Sequence, residues 1–66
     1  MKPILVWFGS DGYDHLIQFK VGATLLEYVT DTLSVFDEVL RTRDYGHGKA
    51  LNLAKKTMKF KREVTR

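Results

Sequence analysis

Residues 24–40 read TLLEYVTDTLSVFDEVL, and how this stretch folds decides the architecture of the chain. Leu26, Val29, Leu33, Phe36 and Leu40 recur at alternating spacings of three and four, with Leu25 and Val39 widening the apolar stripe. That is the period of an amphipathic helix, with Thr30, Asp31, Ser34 and Asp37 on its solvent side. Thr24 and Glu27 have the spacing of a capping box, whose two side chains each satisfy a free backbone N–H at a helix start. Glu27 near the start and Arg41 and Arg43 at the far end suit the helix dipole. The expectation is one long amphipathic helix. Thr30-Asp31-Thr32 is its weak point in helix propensity, where a break would fall.

Upstream, Pro3 to Gly9 is β-branched and aromatic and is closed by Gly-Ser-Asp-Gly, which predicts a strand. Asp11-Gly12 suits a two-residue hairpin turn, because both types tolerate positive φ. That turn would pair Val6 with Ile17, Ile4 with Phe19 and Phe8 with His15. Ile4, Val6, Phe8, Ile17 and Phe19 would then form the core face, and Leu5, Trp7, Leu16, Gln18 and Lys20 the opposite one. A register slip of one residue would exchange the faces of one strand.

Downstream, Tyr45-Gly46-His47-Gly48 reads as a connection, with glycine available to end the first helix. Ala50, Leu51, Leu53 and Ala54 suit a short helix over residues 49–56. Beyond it alternation takes over: Met58, Phe60, Arg62 and Val64 share one parity, and Thr57, Lys59, Lys61 and Glu63 the other. This predicts a third strand with a lysine-rich outer face, a usual guard for a sheet edge. A continuous helix over residues 49–62 is the alternative. The expected fold class is α+β, a single domain over residues 1–66: a β-hairpin packed on the long helix, then a short helix and a third strand, in the order ββααβ.

Composition bounds the function. The chain has 66 residues and no cysteine, so there is no disulfide framework and no thiolate metal site to stabilise it. A chain of this size has little core to spare for a deep substrate cavity. The longest apolar run, Ile4 to Phe8, falls far short of a membrane span or a signal-peptide core, and the expectation is a soluble, cytoplasmic protein with no membrane partner. The net charge of +3 divides unevenly. Residues 1–40 carry two cations against six carboxylates, a net of −4; residues 41–66 carry nine against two, a net of +7. Like charges gathered in one segment repel one another unless a polyanion or an acidic protein surface neutralises them. Packing of the basic segment against the acidic helix would explain the same pattern without a ligand.

No catalytic site is expected. His15 and His47 belong to no metal-spaced set, and no serine has the neighbours of an activated nucleophile. Asp11 with Asp14 flanks a turn, and Asp37 with Glu38 lies on the wet side of a helix. Gly46-His47-Gly48-Lys49 is not a phosphate loop, since Arg43 and Ala50 stand where such a loop needs Gly and Ser or Thr. Backbone N–H groups there, beside Lys49 and Arg43, could hold one phosphate, although a turn that needs glycine explains the same residues.

Two surfaces remain. Arg41, Arg43, Lys49, Lys55, Lys56, Lys59, Lys61 and Arg62 would contact the phosphates of a nucleic acid, or an acidic protein surface. Leu5, Trp7 and Leu16 would form an apolar patch suited to a protein partner. If Trp7 or Phe60 lay beside Lys59, Lys61 and Arg62, the aromatic and basic groups together could stack and neutralise a single strand. The leading expectation is a non-enzymatic, cofactor-free module that binds nucleic acid or a nucleoprotein through its basic C-terminal part. The alternative is a small inhibitor or adaptor of the kind phages and mobile elements encode, docking on a host protein through the hairpin face. Homodimerisation through the helical stripe is a third reading.

Overall fold

The computed structural model describes residues 1–65. Strands β1 (Ile4–Ser10), β2 (His15–Val21) and β3 (Thr24–Thr30) are followed by helix α1 (Leu33–Thr42), a 3₁₀ turn (Arg43–Tyr45), helix α2 (His47–Thr57) and strand β4 (Lys59–Thr65). The strands form one antiparallel sheet in the order β1-β2-β3-β4, and both helices cover the same face of it. The class is α+β, with one strand more than the periodicity predicts.

The long helix does not form. Residues 24–30 are β3, and the helical part begins at Leu33, one residue past the Thr30-Asp31-Thr32 weak point. The cause lies upstream. Gly22-Ala23 is a two-residue hairpin loop with φ of +63° at Gly22 and no positive φ at Ala23, the pattern of a turn whose first central position requires glycine. It folds Thr24 back onto Val21 and sets β3 along the whole of β2. Tyr28, Val29 and the flanking threonines favour that extended state. Thr24 and Glu27 are therefore no capping box; Thr32 takes the cap position, its carbonyl accepting the Phe36 N–H at 3.2 Å. The helical seam considered for self-association is also absent: Leu26 and Val29 lie in the strand, and Phe36 and Val39 are buried inside the domain.

The core lies between sheet and helices. Ile17, Phe19 and Tyr28 rise from the sheet to meet Phe36 and Val39 of α1, Ala50, Leu51 and Ala54 of α2, and Met58. The two alanines let α2 approach closely, and each large apolar side chain fully buried here contributes about 1.5–3 kcal/mol. Ala54 also accepts the Met58 N–H at 2.8 Å, which ends α2 and turns the chain into β4. The continuous-helix alternative for residues 49–62 is thereby excluded.

Both edge strands depart from regular register. The first hairpin turns through Asp11–Asp14, two residues beyond the expected loop, with the Asp11 carboxylate accepting the N–H groups of Tyr13 and Asp14 at 3.0 and 2.8 Å. Ser10 faces His15, Phe8 faces Ile17, and Trp7 faces Gln18. Val6 is then an extra residue, so that Leu5 faces Phe19 and Ile4 faces Lys20. In β4, Phe60 faces Tyr28 and Arg62 faces Glu27, with Lys61 as the extra residue. These bulges reverse the parity of each strand partway along it. Ile4 consequently leaves the expected core face while Leu5 joins the core side, and Arg62 and Val64 share a face with Lys59 rather than with Phe60.

Candidate nucleic-acid interface

The second face of the sheet carries no helix. Its side chains stand in three cross-strand rows: Ile4, Lys20, Leu25 and Val64; Trp7, Gln18, Glu27 and Arg62; and Gly9, Leu16, Val29 and Lys59. Both bulges fall opposite the central row. Val6 joins Trp7 at one end of it, and Lys61 joins Arg62 at the other.

Glu27 anchors this row. It is only 4% exposed, the one buried charged residue among those described. Its carboxylate accepts Gln18 Nε2 at 2.7 Å and Arg62 Nε at 2.9 Å, with Lys61 Nζ 4.0 Å away. Burial alone would raise the carboxyl's affinity for a proton. The hydrogen bonds from Gln18 and Arg62 and the charges of Arg62 and Lys61 outweigh it, and the group sits below its ordinary value. The bulge thus brings two cations to one carboxylate and leaves a surplus of positive charge.

Trp7 is positioned by a glycine. A β-carbon placed on Gly9 would lie 2.7 Å from Cζ2 and 2.9 Å from Cη2 of the indole, so the ring rests against the bare backbone of Gly9. The residue remains 47% exposed. Beside it lies a cleft of about 410 Å³ lined by Val6, Trp7, Leu25 and Val64 on its apolar side and by Gln18 and Lys20 on its polar side.

The sheet register sorts the sequence-derived candidates. Lys59, Lys61 and Arg62 stand on the open face, and Lys20, which the hairpin pattern already placed with Trp7 and Leu16, joins them. The remaining five are elsewhere. Arg41 pairs with Asp37 at 2.9 Å on the outer side of α1, the Arg43 guanidinium lies 5.9 Å over the Phe8 ring, and Lys49, Lys55 and Lys56 are exposed along α2. Of the apolar patch, Trp7 and Leu16 share the open face, whereas Leu5 packs against the core. Leu25, Val29, Val64 and Gln18 complete the surface. The helical spacing of residues 24–30 conceals the first two, and the Lys61 bulge, silent in the sequence, conceals Val64.

The two histidines have local partners. His47 Nδ1 accepts the Leu5 N–H at 2.7 Å, tying the start of α2 to the outer edge of β1. This bond, with Gly46 at φ +136° ahead of α2, gives the glycine loop a structural part. His15 Nδ1 meets the Ser10 hydroxyl and its ring stacks on Phe36 at 5.1 Å, but the pair is exposed and lines neither the Trp7 cleft nor a second cleft, of about 330 Å³, beside Asp14 and Asp31. Among the described residues, no three His, Asp or Glu side chains are grouped to hold a metal ion, and no helix is long and apolar enough to cross a membrane.

The chain matches no family model, no curated protein and no solved structure. Its functional reading therefore rests on the geometry of the open face.

Proposed function

We propose that the protein is a non-enzymatic module that binds single-stranded nucleic acid across the open face of its sheet. One observation carries this reading: an exposed tryptophan, its ring edge against a glycine, shares a helix-free face with Lys20, Lys59, Lys61 and Arg62, and Glu27, the one carboxylate of that face among the described residues, is already compensated. An aromatic ring offers every base a stacking surface, and clustered cations attract the backbone without reading sequence. With one of the four charges offset by Glu27, binding should release about two counterions, a slope near −2 in log affinity against log salt for a single strand.

Fluorescence anisotropy with a labelled dT12, titrated between 50 and 200 mM salt, tests this. Affinity falling along that slope, with the Trp7 emission quenched by the oligonucleotide, is the expected result. A salt-independent curve, or no binding at 50 mM, refutes it.

A second reading is favoured by the apolar lining of the Trp7 cleft. Val6, Trp7, Leu25 and Val64 could receive an apolar anchor from an acidic protein partner, with the same cations steering the encounter. A protein captured from the native host, lost on Trp7→Ala and retained after nuclease treatment, would favour that reading over the first.

A further inference from the structure

The geometry points to a short ligand register in which the open face takes one stacked base, at Trp7, and otherwise holds only phosphates. This rests on the single-strand reading above and specifies its stoichiometry. Among the described residues, Trp7 is the one aromatic of the open face. Phe8, Phe19, Tyr28 and Phe60 stand in the rows that face the helices, Phe36 lies in α1, and Tyr13 and Tyr45 belong to the hairpin loop and the 3₁₀ turn. Gly9 lies against the Cζ2–Cη2 edge of the indole and fixes where that one ring sits. The neighbouring cleft, about 410 Å³, lies within the roughly 300–1,000 Å³ typical of small-ligand sites.

Polarity across the sheet gives the rest of the ligand its course. Trp7 stands on edge strand β1, while Lys59, Lys61 and Arg62 stand on the opposite edge strand, β4, three strand spacings or about 14 Å away. Lys20, in the row beside Trp7, lies between them on β2. A strand whose base docks at Trp7 must therefore cross the sheet to bring its following phosphates to β4. The length required is short, at the lower end of the roughly 4–16 nucleotides that small single-strand-binding domains occupy. A second copy of this chain is a poor occupant, since two such faces would oppose like charges.

Tetranucleotides with the same number of phosphates provide the test: one with every base removed, four with a single thymine at successive positions, and dT4. Binding to the full chain is read by anisotropy at low salt and by Trp7 emission. The best single-thymine strand should bind about tenfold tighter than the abasic strand and quench Trp7, and dT4 should add no more than about a further twofold. In Gly9→Ala, which displaces the indole, the thymine increment should vanish while the abasic strand still binds; Trp7→Ala serves the same purpose if Gly9→Ala alters the circular dichroism. Affinity that climbs with each added base overturns the single-base register, as does a thymine increment that survives both variants. If dT12 binds with the expected salt slope but bases make no difference, the register fails and the broader function stands. If no strand binds, both fail.

Discussion

Replacing Glu27 by Gln should move stability and binding in opposite directions. In the wild type the carboxylate accepts Gln18 at 2.7 Å and Arg62 at 2.9 Å, with Lys61 at 4.0 Å. The two cationic side chains are 58% and 51% exposed, so their attraction is screened and each pair is worth at most about 1 kcal/mol. A glutamine at position 27 can still accept the Gln18 amide, though as a neutral acceptor, which forfeits part of a charge-assisted bond worth about 1.5–3 kcal/mol. Against these losses, a neutral amide is easier to bury. The balance is a destabilisation of roughly 1 kcal/mol, or a Tm lower by about 4–8 °C in a domain of this size. The sign with pH follows from the lowered carboxyl. A group that binds protons more weakly when folded stabilises the fold above its ordinary value of 4.5 and loses that contribution as the pH falls through the folded-state value. Urea unfolding of both proteins should therefore show a gap at pH 7 that closes under acid conditions, while Asp11, lowered by its bonds to Asp14 and Tyr13, acts alike in both and cancels. Removing the carboxylate also releases Arg62 and Lys61, so dT12 should bind Glu27→Gln more tightly at 50 mM salt, with a salt slope steeper by about 0.7. A variant as stable as wild type at pH 7, or a gap that persists in acid, would show that the Arg62 and Gln18 contacts do not offset the burial of the charge. Unchanged binding would show that these cations do not meet the ligand.

Two further substitutions test the fold. Gly22→Val places a β-branched side chain where φ is +63° and should cost about 1–2 kcal/mol, seen as a lower urea midpoint with an unchanged slope. His47→Ala removes the acceptor of the Leu5 N–H at 2.7 Å. Since that amide lies at the partly buried outer edge of β1, the loss should be about 1–3 kcal/mol, with faster hydrogen exchange at Leu5 than at residues paired to β2. Unchanged exchange at Leu5 would mean that the edge is closed by something other than the histidine.

The sequence reveals the elements with strong local signals and conceals those set by the sheet. The first strand is legible from its β-branched and aromatic run closed by glycine, the short helix over residues 49–56 from its apolar spacing after a glycine loop, and the final strand from the alternation that replaces the helical pattern after Thr57. Residues 24–30 mislead because β3 is an inner strand: Leu26 and Tyr28 face the helices while Leu25 and Val29 help to cover the open face, so the apolar residues do not alternate. Leu26 and Val29 then continue into Leu33 and Phe36 at helical spacing. The contrary signal was the Gly22-Ala23 pair, which closes a hairpin only because Gly22 accepts a positive φ. Part of the open face is equally visible, since the hairpin pattern sets Trp7, Leu16, Gln18 and Lys20 together. The bulges at Val6 and Lys61 are not, because neither residue differs in type from a regularly paired strand residue. Through them Leu5 leaves the patch and Arg62 reaches Glu27.

The return of β4 across the helical excursion has a kinetic consequence. Strands β1 to β3 form a meander whose hairpins close over short loops, but the Arg62–Glu27 contact joins residues 35 apart in sequence. Bringing β4 home means ordering the intervening helices first, or closing a loop of that length at an entropic penalty the local hairpins do not meet. Lys59, Lys61 and Arg62 all arrive with that strand. An early folding species holding only the meander would present Trp7 without the cations of β4, so the proposed binding of a single strand should appear in refolding with the slowest structural phase rather than with the first sheet signal.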